Sequence, residues 1–123
     1  MYETLLMVKP GVVISLSDIE GVLNEVAASG KGIVERRPIS VLYLINTNYL
    51  RIQINQDPNV IKESCEIAAE TGVPCEACSM RFEMEGEDDN MELFNDYILI
   101  NEKLDNTGNF FIFDQNEGRM FGT

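Results

Sequence analysis

The chain has 123 residues, a length that suits one domain over 1–123 and buries roughly two-thirds of the unfolded surface, so a core needs no disulfide or metal. Twenty-one acidic residues face nine basic ones, and the net charge of −12 repels nucleic acid and anionic lipid while attracting basic partners. No histidine occurs, which removes Ser-His-Asp and Cys-His catalytic sets from within the chain, and no apolar run approaches the ~20 residues of a membrane helix.

Thr4 to Val8 (TLLMV) reads as a buried strand closed by the turn Lys9-Pro10-Gly11. A helix follows over 17–29. Ser17 is placed to cap it with Glu20 three residues on, Ile19, Val22, Leu23 and Val26 form its apolar stripe, and Gly30 ends it. Ile33 and Val34 open an extended stretch that Pro38 interrupts. Ile39 to Ile45 and Tyr49 to Asn55 then read as a hairpin turning at Asn46-Thr47-Asn48. Leu50, Ile52 and Ile54 share one face, and Arg51 and Gln53 the other.

A second helix is expected over 58–71, capped by Asp57, opened by Pro58 and ended by Gly72, with Ile61, Cys65 and Ala68 on its buried face. Toward the C-terminus, Leu93, Tyr97, Ile100 and Leu104 match helical spacing. The preferred reading is nonetheless a short helical turn near Met91 to Asn95, followed by short strands in YILI, FFIFD and RMF. The turns DNTG and QNEG would join these strands.

The expected fold is therefore α+β. Two helices pack on one face of a mainly antiparallel sheet in the order β-α-β-β-α-β, a ferredoxin-like layout, and a C-terminal β-meander follows. The opening YETLLMVKPG (Tyr2 to Gly11) resembles the first strand of a small-subunit ribosomal protein family of that fold. The likeness covers ten residues and no diagnostic motif. A chain this acidic does not suit ribosomal RNA, so no function or site follows from it.

Cys75 and Cys78 stand at Cys-x-x-Cys spacing, with Cys65 as a third thiol. A structural zinc site wants four ligands, and the first cysteine does not open a helix, so neither a metal nor a redox role is expected. On a strand, the spacing of three would turn the two thiols to opposite faces, and Cys65 reads as core. No cofactor is expected: Ala28 to Gly32 (ASGKG) lacks the frame of a phosphate loop, and Asp114 to Gly118 (DQNEG) fits a hairpin turn better than a calcium loop.

The densest signal is acidic. Seven of the fourteen residues from Glu83 to Asp96 are acids, and no base lies between Arg81 and Lys103. A solvated loop is the plain account. The functional one is a landing surface for a basic protein, built from Glu83, Glu85, Glu87, Asp88, Asp89, Glu92 and Asp96, with Phe94 and Tyr97 as apolar anchors. On this reading the protein is a non-catalytic binding protein of the cytoplasm, since MYETLLMVKPG has the wrong flanks for a signal peptide and three cysteines make no disulfide framework. It would act as an immunity-type inhibitor or a mimic of nucleic-acid charge, binding neither nucleic acid nor membrane. The alternative is a ferredoxin-like small-molecule-binding or oligomeric regulatory domain, with a homodimer open to it.

Overall fold

The computed structural model describes residues 1–121. Seven strands form one antiparallel sheet: β1 (Tyr2–Val8), β2 (Ile33–Arg36), β3 (Ser40–Ile45), β4 (Asn48–Asn55), β5 (Arg81–Glu87), β6 (Phe110–Asp114) and β7 (Arg119–Met120). Their order across the sheet is β2-β3-β4-β5-β1-β6-β7. Among the described residues, three helices accompany them: α1 (Leu16–Ser29), α2 (Asn59–Thr71) and α3 (Phe94–Asn106).

The α+β class and the antiparallel sheet agree with the sequence, but the ferredoxin-like order does not hold. That order needs β1 beside the strand that precedes the second helix. Here β5 lies between β1 and β4, pairing with both along nearly its whole length. The two helices expected on one face are also divided. Ile19, Leu23 and Val26 of α1 share a core with Tyr97, Ile100 and Leu104 of α3, against Leu6, Val8, Leu50, Ile52, Phe82 and Met84. Ile67 of α2 lies in a second, smaller cluster with Leu5, Met7, Phe113, Cys75 and Cys78. β1 is thus buried on both faces, which is why TLLMV is continuously apolar rather than alternating.

The third helix replaces the strand expected at YILI. Leu93, Tyr97, Ile100 and Leu104 recur at helical spacing and are all buried, and burial of that stripe outweighs the strand propensity of two isoleucines. The C-terminal strands reduce to the β6–β7 hairpin, whose turn at Asp114 to Gly118 is closed by Gly118 at φ 67°.

The helix registers needed two further corrections. α1 starts earlier than Ser17: the Ser15 N–H donates to Asp18 Oδ2 at 2.7 Å, while Ser17 accepts from Arg36 instead. In α2 the buried face is Val60, Ser64 and Ile67, one position removed from Ile61 and Cys65, which are exposed. Ser64 is tolerated inside because its hydroxyl lies 2.9 Å from the Val60 carbonyl and 2.8 Å from the Cys78 carbonyl. Asp57 and Gly72 bound α2 as expected, with Asp57 Oδ1 accepting the Asn59 N–H and Gly72 at φ 73°.

Leu50 and Ile52 are fully buried on the α1–α3 face, and Ile54, at the strand end, is half exposed. Among the described residues, no helix is long and apolar enough to cross a membrane.

Candidate partner-binding groove

The acidic segment does not form one surface. Along β5, Phe82, Met84 and Gly86 face the α1–α3 core, so Glu83, Glu85 and Glu87 point to the other face. There Glu83 accepts from Asn55 Nδ2 at 2.9 Å and from Arg81, and Glu85 pairs with Arg51, its neighbour in register. Beyond Glu87 the chain leaves the sheet and turns toward α3. Asp88 accepts the Tyr2 hydroxyl at 2.7 Å and the Leu93 N–H at 3.2 Å, supporting the start of α3. Asp96, in the first turn of α3, accepts the Tyr43 hydroxyl from β3.

Tyr43 itself runs under Gly32, where any Cβ would stand 2.1 Å from its ring. Burial, reinforced by the facing carboxylates, pushes the Tyr2 and Tyr43 phenols well above their ordinary range.

Tyr97 is buried rather than presented as an anchor. It stacks on Tyr2 at 4.3 Å between ring centroids and shares a 2.6 Å hydrogen bond with Thr4. Its place in the apolar stripe of α3 accounts for this. Phe94 and the acids Asp89 and Glu92 are exposed, and Glu87 is half-buried. Glu92 accepts from Asn46 and Asn90 at 2.7 and 2.6 Å.

Phe94 and Tyr97 meet residues that the sequence did not single out. Between the start of β1, the head of α3 and the β6–β7 hairpin lies a groove of two lobes, about 250 and 270 Å³. Both lobes share Phe94, Tyr97, Asp114 and Glu117. Met1, Tyr2, Asp88 and Met91 wall the first, and Ile98, Arg119 and Phe121 help wall the second. Three large apolar side chains stand open around it: Met1, Met91 and Phe94, at 69%, 62% and 41% exposure. Met91 also holds φ 64°, a left-handed conformation unusual for its side chain. Only the pairing of β1 with both β5 and β6 brings Met1, Asp88 and Asp114 to one end, and no local sequence signal carries that.

The electrostatics single out the same end. The six ion pairs among the described residues join Glu20 to Arg36, Glu35 to Arg37, Glu85 to Arg51, Glu63 and Glu83 to Arg81, and Glu25 to Lys103. None of them includes Glu87, Asp88, Asp89, Glu92, Asp96, Asp114 or Glu117. Asp114 spends Oδ1 on the Asn116 and Glu117 N–H groups of its own turn, and its Oδ2 accepts no hydrogen bond among the described residues. Among the described residues, Arg119 is the one basic side chain that lines the groove.

Elsewhere the chemistry is sparse. Cys75 and Cys78 lie in a turn closed by the Cys78 N–H to the Cys75 carbonyl, so both thiols enter the same cluster rather than opposite faces. Burial raises the Cys75 thiol and pushes Cys78 up to about 11, which disfavours the reactive thiolate at neutral pH. Among the described residues, no three cysteine or carboxylate side chains converge to hold a metal. A cavity of about 500 Å³ is walled by residues that include Val8, Lys9, Gln56 and Ser79 and, among the described residues, by no carboxylate.

Comparison with family models, with curated proteins and with solved structures finds no match to this chain.

Proposed function

We propose that this chain is a non-catalytic acidic binding protein that caps a basic protein partner with its groove end, in the manner of an immunity-type inhibitor or a mimic of nucleic-acid charge. The observation that carries the reading is the uneven pairing of charge. Five bases pair with carboxylates elsewhere, and among the described residues the acids from Glu87 to Glu92, with Asp114 and Glu117, make no ion pair beside exposed Met1, Met91 and Phe94. An apolar centre with a charged rim is the composition of a protein interface. Uncompensated charge at one end also steers a partner of opposite sign. The three cysteines are free, which favours a reducing compartment such as the cytoplasm.

A second reading, a small-molecule-binding domain, draws on the carboxylate-free cavity beside Lys9. A ligand there would leave the groove acids without a role.

The test uses the partner captured from the source cells on the tagged protein. Association is then compared between the native chain and a variant carrying Glu87→Gln, Asp89→Asn, Glu92→Gln and Glu117→Gln. These positions spare Asp88 and Asp96, which hold the fold. At low salt the variant should associate about tenfold more slowly, with a smaller change in dissociation, and high salt should close the gap. Equal association rates at both salt concentrations would remove the groove end from the interface.

A further inference from the structure

Resting on that reading, we infer that the groove receives an arginine side chain of the partner, in preference to lysine. The walls explain the choice. Aromatic surface comes from Phe94 and from the stacked Tyr2–Tyr97 pair, and thioether surface from Met1 and Met91. A lysine ammonium is compact and strongly hydrated, and it loses its water poorly among such groups. A guanidinium is planar and weakly hydrated, and its flat face stacks on aromatic rings while its edge donates hydrogen bonds.

The acceptors are disposed for the edge. Asp88 lines one lobe, and Asp114 and Glu117 border both. Asp88 is already engaged by Tyr2 and Leu93. Asp114 Oδ2 and the Glu117 carboxylate accept no hydrogen bond among the described residues, so three carboxylate oxygens remain on the hairpin side of the groove. A donor that forks toward more than one acceptor uses both carboxylates, and a single ammonium on a flexible stem gains less from them. Arg119, across from Asp114 in the hairpin register, brings a positive charge to the mouth that opposes either cation.

The experiment titrates the full-length protein, with labelled methionine methyls and backbone amides, with two blocked peptides of equal length. One alternates arginine with glycine, and the other alternates lysine with glycine. The arginine peptide should bind about threefold more tightly and shift the Met1 and Met91 methyls and the Phe94 and Glu117 amides. Phe94→Leu, at a half-exposed position, should reduce that ratio to near one while leaving lysine binding unchanged. Glu117→Gln should weaken both peptides.

Equal affinities with shifts in the groove would overturn the arginine preference and leave the groove as a cation-binding end. Shifts confined to Glu83 and Glu85 on the sheet face would overturn the groove as the site. Loss of the kinetic effect with the natural partner is the separate result that would overturn the underlying function.

Discussion

The two faces of the sheet are closed to different degrees. On the first, α1 and α3 lie side by side over nearly every strand, and the core runs from Val41 and Tyr43 in β3 to Phe110 and Ile112 in β6. On the second, α2 and the turn 73–78 cover only the β1–β6–β7 side, through Leu5, Met7, Phe113 and Met120. The remainder, over β2, β3 and β4, is left to buried Leu42, half-buried Leu44, Tyr49, Arg51 and Gln53 and exposed Ile33. On the closed face, hydrogen bonds between elements join Tyr43 to Asp96 and Thr4 to Tyr97. The half-open face holds ion pairs, of Arg51 with Glu85 and of Arg81 with Glu63 and Glu83. Apolar burial is thus concentrated on one side.

Truncation of equivalent side chains on the two faces tests this division most strongly. Leu23→Ala on the first face removes a fully buried side chain from the large core and should cost about 3–4 kcal/mol. Ile67→Ala on the second leaves a smaller cluster with room to relax, and about 2 kcal/mol is expected. Urea unfolding of both variants gives the ordering, and equal losses would show that α2 is as integral as α1.

High pH separates the faces by their titrating groups. Burial raises the Tyr2, Tyr43 and Tyr97 phenols on the α1–α3 side, and it raises the Cys78 thiol on the α2 side from its ordinary 9.0 to about 11. In each case the folded state holds its proton longer than the unfolded one. The stabilisation is complete below the unfolded pKa and is lost as pH rises through the folded value. The thiol contribution should therefore fade from about pH 9 to 11, and the tyrosine contribution should begin to fade from about pH 10. Urea midpoints taken in steps of pH should fall in that order. Cys78→Ala should flatten only the first part, and a constant midpoint from pH 8 to 11 would contradict both shifts.

The sequence carried the elements whose signals are local. The β3–β4 hairpin, the stop of α2 at Gly72 and the turn before Arg119 were legible because alternation, a left-handed glycine and a turn tetrapeptide are each written within a few residues. α3 was misread because YILI satisfies both periods, and only the reach back to Leu93 and forward to Leu104 decides for the helix. The buried face of α2 was missed because a serine occupies its centre and an isoleucine stands outside it. The acidic run was legible as a density, but its division was not. β5 sends Glu83 and Glu85 to bases on the sheet, whereas Asp88 and Asp96 are consumed in holding α3. The groove depends on β1 lying between β5 and β6, a long-range pairing with no local mark.

The smallest expected effect concerns a mismatch on the half-open face. Glu3 and Glu85 stand directly opposite each other on β1 and β5. Like charges in that position destabilise an antiparallel pair by a few tenths of a kcal/mol, up to about 1. Arg51 relieves Glu85 from the other side, while Glu3 makes no ion pair among the described residues. Both carboxylates reach partly into solvent, so the repulsion is screened and lies toward the low end of that range. Glu3→Gln keeps the shape and removes the charge. It should raise stability by about 0.3 kcal/mol at low ionic strength, and the gain should shrink toward zero in molar salt. The same change at Glu25, whose partner Lys103 joins α1 to α3 on the closed face, should instead lose a similar amount, with the same salt dependence. Unfolding free energies of the two variants at two salt concentrations give four values whose signs are fixed in advance. A loss of stability on Glu3→Gln would mean that the carboxylate is held by an attraction stronger than its repulsion from Glu85.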